Sequence, residues 1–108
     1  MKTSQLKGNL DLLLLAVLRG RPLHGYAVIA GLRDRSGGSF DLPEGTVYPA
    51  LHKLEREGLI VSTWDGSAGR RRRTYELTSR GTHALARQSE QWESFVRGVN
   101  AVLAVVTP

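Results

Sequence analysis

The sequence predicts a small, mostly helical α+β fold: three helices, a β-hairpin and one long closing helix. Three observations carry that expectation. In EGTVYPALHKLEREGLI (44–60), Val47, Leu51 and Leu54 recur at steps of four and three, the spacing that lines one helical face. After Gly58, LIVSTWD (59–65) and RRTYELT (72–78) are rich in β-branched and aromatic residues, and GSAGR lies between them. From 79 to 106, Leu85, Trp92, Val99 and Val106 repeat every seven residues.

The first helix is expected over roughly 4–18, ended by Gly20 and Pro22. Its run Leu12–Leu18 is too short to span a bilayer. Asp11 abuts the run and RGRP follows with no small-residue cleavage site, so a buried cytoplasmic helix is expected rather than a signal peptide. The second helix runs from about His24 to Arg35, and SGG (36–38) supplies glycines for the left-handed geometry of a helix end. The third is the 44–60 stretch, helical to about Arg56. Pro43 suits an early helical position, and Asp41 three residues before Glu44 suggests a capping box; which residue is the true cap is open. The hairpin 59–78 has a glycine-containing tip. The last helix, 79–106, is capped by Thr78 or Ser79 and carries a second apolar stripe of Phe95, Val96, Val102 and Leu103. This order is the layout of a winged helix-turn-helix, the hairpin being the wing. We expect one compact unit: residues 1–78 as the winged domain and 79–108 as a dimerisation helix, because one small core cannot cover so apolar a helix.

The chain has 108 residues, no cysteine and a formal charge of +5, which rules out disulfides and thiolate metal sites and favours anionic partners, nucleic acid first. An α-helix fits the DNA major groove. On the outward face of the third helix, Thr46 and His52 can hydrogen-bond, Pro49 can touch a thymine methyl, and Lys53 can reach base or phosphate. Tyr48, on the flank, can donate its phenol hydrogen to a phosphate. The helix alone cannot supply attraction, because residues 44–58 hold Glu44, Glu55 and Glu57 against Lys53 and Arg56. The hairpin supplies it, through Arg70, Arg71, Arg72 and Arg73 at its tip and second strand. If a dimer neutralises about six to eight phosphates, log affinity falls against log salt with a slope on the order of −5 to −7.

The chain resembles the PadR family of transcriptional regulators. LDLLLLAVL, PLHGYAVIAGL, EGTVYPALHKLEREGLI, GRRRRTYELTSRG and QWESFV carry the resemblance, which is closest to the short subgroup with one helix after the wing. It implies a homodimer that binds a palindromic operator in double-stranded DNA, usually to repress, and releases it on meeting a small molecule. It places Thr46, Tyr48, Pro49, His52 and Lys53 on the recognition helix, Tyr26 (in HGY) near the DNA backbone, and Arg70–Arg73 on the wing. It places the dimer interface on the first and last helices, through Leu10, Leu13, Leu85, Trp92, Val99 and Leu103. In small multidrug-responsive members a tryptophan of the last helix stacks flat aromatic ligands. Trp92, with Phe95, Val96 and Val99, would form such a site, or would simply pack the dimer seam. Pro43 stands where a serine cap is common in the family, and the chain ends soon after the last helix.

No catalytic constellation is present. His24, His52 and His83 fall in three helices without metal spacing, and the glycines form no phosphate loop. Neither an enzyme, a cofactor nor a bound metal is expected. The serious rival is a winged-helix module that binds protein without reading DNA, which a basic wing argues against. A membrane-surface role would need a basic amphipathic helix, and the last helix has only Arg80, Arg87 and Arg97.

Overall fold

The computed structural model describes Leu6, residues 8–65 and residues 72–104. Its elements run α1 (Leu10–Leu18), β1 (Leu23–His24), α2 (Gly25–Arg35), α3 (Glu44–Arg56), β2 (Ile60–Asp65), β3 (Arg72–Leu77) and α4 (Ser79–Leu103). The winged-helix order therefore holds, with differences that have local causes.

The first helix does not run unbroken from residue 4. Gly8 and Asn9 form a turn, closed by the Asn9 N–H on the Leu6 carbonyl at 2.9 Å, and α1 begins at Leu10. Glycine and asparagine are both poor helix formers, so the chain breaks where they adjoin. Leu23 and His24 form a two-residue strand rather than opening the second helix, and α2 starts at Gly25. β1 pairs with β3, giving a three-stranded antiparallel sheet in the order β1-β3-β2. Its registers set Leu23 opposite Tyr75 and Ser62 opposite the same tyrosine from the other side.

No capping box forms between Asp41 and Glu44. Pro43 itself occupies the cap of α3 in extended conformation, and no side chain caps the helix. The Pro43 carbonyl instead accepts from the amides of Thr46 (3.0 Å) and Val47 (3.2 Å). Pro49 lies inside α3, where it removes one amide from the second turn. Thr78 rather than Ser79 caps α4, its hydroxyl accepting from the Gly81 amide at 3.0 Å. Val106 and the hairpin tip lie outside the described residues, and α4 is described to Leu103.

The core gathers Leu14, Leu15 and Leu18 of α1, Val28 and Leu32 of α2, Val47, Leu51 and Leu54 of α3, Ile60 and Tyr75 of the sheet, and Ala84 and Leu85 of α4. Leu10 and Leu85, expected at the dimer interface, belong to this core, at 8% and 3% exposure. Past Leu85 the helix leaves the body: Trp92, Phe95, Val99, Val102 and Leu103 are all exposed. The radius of gyration, 16.2 Å, accordingly exceeds the roughly 13 Å of a compact chain this long. No described helix is long and apolar enough to cross a membrane.

Candidate nucleic-acid interface

The helix-turn-helix is built from α2, the turn 36–43 and α3. Gly37 and Gly38 take positive φ (62° and 90°), which lets the chain reverse after α2. The Ser36 hydroxyl stitches the turn by donating to the Arg33 carbonyl (3.2 Å) and accepting from the Phe40 amide (2.9 Å). The two helices meet at Gly25 and Tyr48. A Cβ on Gly25 would stand 2.5 Å from Tyr48 Cε1, so only glycine lets the phenol ring close over the start of α2. Burial there pushes the Tyr48 hydroxyl above its ordinary titration range, with Glu44 adding to the effect.

Amphipathic spacing turns Val47, Leu51 and Leu54 inward, which leaves Pro49, His52 and Arg56 exposed and Thr46 half-buried at the helix start. Tyr26, 71% exposed, projects from the first turn of α2. Thr46, Pro49, His52 and Arg56, three or four positions apart, share one face of α3. Lys53 is different. Its ammonium donates to Asp11 of α1 at 2.7 Å and lies 3.7 Å from Glu57. The hydrogen bond to Asp11 is the main cause of its raised pKa.

The wing is β2 and β3 with registers Trp64–Arg73 and Asp65–Arg72. Residues on one strand alternate faces, so Arg72 and Arg73 point to opposite sides of the ribbon. Arg72 is exposed. Arg73 is turned toward α3, with Nη2 3.2 Å from Glu55 Oε1 and Nε 2.7 Å from the Ser62 hydroxyl. Its guanidinium also lies over the Trp64 ring, 5.4 Å from the centroid. Arg70 and Arg71 lie outside the described residues. The strand β1 is tied beneath the wing by a 3.0 Å hydrogen bond between the Thr74 hydroxyl and His24 Nδ1.

Of the residues expected to touch DNA, Thr46, Pro49 and His52 lie along one face of α3, Tyr26 is exposed on α2 and Arg72 is exposed on the wing. Tyr48 packs between helices, and Lys53 and Arg73 are engaged by carboxylates. Sequence reasoning missed Gly25, Asp11, Glu55 and Ser62 as organisers of this surface. For Glu55 a signal existed: it follows Leu54 at the end of a helix that leads within four residues into the wing. Along α4, Trp92 and Phe95 sit 6.0 Å apart at an interplanar angle of 35°, with Val96 half-buried and Val99 exposed beside them. Among the described residues no group of three His, Asp or Glu is placed to hold a metal.

Residues 14–87, from α1 into α4, match the model of the transcriptional regulator PadR-like family. The chain belongs to that family. PadR-like proteins are transcriptional regulators rather than enzymes. Among curated relatives, the transcriptional regulator Rv3488 of Mycobacterium tuberculosis is 37% identical over 67 residues, 62% of this chain and 63% of that protein. The transcriptional regulator YqjI of Escherichia coli is 28% identical over 94 residues, which span 87% of this PadR-like chain but only 44% of YqjI. The crystal structure of a PadR family regulator from Eggerthella lenta superposes with a TM-score of 0.83 at 31% identity, covering 95% of this chain and 88% of that one. A PadR family structure from Clostridium difficile gives a TM-score of 0.78 at 31% identity, covering 90% of this chain and all of the other.

Proposed function

We propose that this PadR-like regulator is a sequence-specific, double-stranded DNA-binding protein that acts in the cytoplasm as a homodimeric repressor of a palindromic operator. The observation that carries the reading is the outward surface of α3, where Thr46, Pro49 and His52 stand together beside a wing bearing Arg72. Such a helix enters the major groove and meets base edges, while Tyr26, Arg70, Arg71 and Arg72 contact flanking phosphates. The free amides at the start of α3, with Gly45 exposed there, add a favourable site for phosphate.

Support for the dimer comes from α4, whose outer turns expose Trp92, Phe95, Val99, Val102 and Leu103 along with half-buried Leu13 of α1. Among the described residues of the monomer, nothing covers that stripe. Two-fold symmetry of the pair would present two recognition helices to a palindromic site. The Trp92–Phe95 pair gives the dimer seam a flat apolar platform, and we assign release from DNA to a small aromatic or hydrophobic ligand stacked there with Val96 and Val99.

Fluorescence anisotropy tests the reading. Labelled DNA from upstream of the protein's own gene and a scrambled control are titrated across a salt series, with the mass of the free protein measured by sedimentation. Tighter binding to the upstream DNA with a steep salt slope supports an operator-reading dimer. Equal weak binding to both removes the sequence-reading claim, and no binding at low salt removes the DNA claim altogether.

A further inference from the structure

The Glu55 carboxylate, in the last turn of α3, is turned into the wing rather than toward solvent. Oε2 accepts from both the Ser62 amide (3.2 Å) and the Ser62 hydroxyl (2.6 Å) on β2. Oε1 accepts from Arg73 Nη2 on β3 (3.2 Å), and the same guanidinium donates through Nε to the Ser62 hydroxyl (2.7 Å). Donors and acceptors close a ring: arginine to serine, serine to glutamate, arginine to glutamate. The Trp64 indole and the Tyr75 ring flank the guanidinium at 5.4 and 6.0 Å. This network is half-buried, with side-chain exposures of 37% for Arg73 and 26% for Glu55.

Its position along the ribbon gives it a task. Ile60 and Tyr75 anchor the base of the wing in the core, but Thr63, Trp64, Asp65 and Arg72 beyond them are exposed. A two-stranded ribbon without a packed face holds its shape poorly in water. The Glu55–Ser62–Arg73 ring is placed where the wing leaves the body, and it ties both strands to the end of the recognition helix.

We propose that Glu55, Ser62 and Arg73 form a strut that fixes the distance and angle between the wing and α3. Arg73 is then a positioning residue for operator binding and not a phosphate contact. The consequence for DNA rests on the proposed function; the strut itself does not. It gives opposite signs to two simple expectations. Glu55→Gln removes an acidic group beside the DNA surface, which by charge alone tightens binding. The strut requires the substitution to weaken it, because the wing loosens.

The test uses the full chain and the variants Glu55→Gln, Arg73→Gln and Arg73→Lys, each first checked for wild-type helical circular dichroism. Hydrogen exchange on the free protein comes first. All three variants are expected to speed exchange of the wing amides by about tenfold while leaving α1 and α2 unchanged. The variant pair Glu55→Gln/Arg73→Gln is expected to show no more than either single change. Unchanged wing exchange overturns the strut, whatever happens with DNA. Anisotropy against the upstream DNA follows across a salt series. The strut predicts that all three variants weaken binding and keep the wild-type salt slope. A slope made shallower by about 0.9 per protomer in Arg73→Gln but kept in Arg73→Lys, with Glu55→Gln binding more tightly, identifies Arg73 as a phosphate contact and overturns the proposal. If the wild-type protein binds no DNA, the proposed function falls, and hydrogen exchange alone decides the strut.

Discussion

Thr78 offers the sharpest check on how the winged body is joined to its last helix. Its hydroxyl accepts from the Gly81 amide (3.0 Å), capping α4, and donates to the Gly58 carbonyl (2.7 Å), just past the end of α3. Its own amide donates to the Leu59 carbonyl at 3.1 Å. One oxygen therefore links the end of the recognition helix to the start of α4. Thr78→Val keeps the branched shape, and the extended backbone at this position (φ −86°, ψ 173°) suits valine, so no strain enters. Loss of the cap costs about 1 kcal/mol. Loss of the bond to Gly58, whose carbonyl is then left without that donor, costs about another 1 kcal/mol. The sum, about 2 kcal/mol, should lower the melting temperature by on the order of 10 °C. The assay is a thermal melt at one fixed protein concentration, since association would otherwise shift the midpoint. Thr78→Ser keeps the hydroxyl and should retain most of the stability. A Thr78→Val melt within about 2 °C of wild type, or a serine variant that falls as far as the valine, would refute the two-bond account.

Other expectations follow from the same geometry. Gly25→Ala drives a methyl to 2.5 Å from the Tyr48 ring; it should cost about 1–3 kcal/mol and bring the Tyr48 titration back toward 10.0 as the ring swings out. Urea melts and absorbance titration read both effects, and a neutral substitution would show that the helices do not meet there. Burial also raises Tyr75, so the folded chain holds protons on Tyr48 and Tyr75 that the unfolded chain has lost. Stability is then complete below pH 10.0 and falls as pH rises past it, and Tyr75→Phe should flatten that alkaline loss in urea midpoints measured from pH 9 upward. Phe95→Asp places a charge in the exposed stripe of α4 and should give monomers by sedimentation; an unchanged mass would remove this stripe from the interface.

What was legible in the sequence was whatever depends on near neighbours. The inward triad Val47, Leu51 and Leu54 lies within a turn or two of chain and periodicity reports it directly, while residue type narrows the cap of α4 to Thr78 or Ser79. The break at Gly8–Asn9 was equally local but was outweighed by the apolar run that follows. β1 is only two residues long and exists because β3 offers it a partner 50 residues on, at His24 and Thr74. The fate of the cations was hidden for the same reason. Lys53 meets Asp11 from 42 positions away and Arg73 meets Glu55 from 18. A count of positive side chains in a motif gives the charge but not the partner. Leu85 fits the heptad pattern of the last helix and also fits the core, and only the packing of α1 on α4 shows it, with Leu10, buried in the chain's own body.

These pairings change how attraction and discrimination divide across the proposed DNA surface. Residues 44–57 carry three glutamates against one lysine and one arginine, a formal −1. Lys53 is held by Asp11 and Glu57, and Glu55 by Arg73. The outward face of α3 is then uncharged in its middle, at Thr46, Pro49 and His52, with exposed Glu44 at its start and Arg56 at its end. Such a helix adds little to the salt-sensitive binding that any duplex receives, which must come from the wing. Its contribution is almost wholly in base contacts, and these set the ratio of operator to random affinity. His52→Lys tests the division. The added charge should tighten binding to scrambled DNA and steepen its salt slope by about 0.9 per protomer. At the same time the ratio of operator to scrambled affinity should fall by about tenfold, because a base contact is lost. If both DNAs gain equally and the ratio holds, His52 lies against phosphate rather than against a base edge.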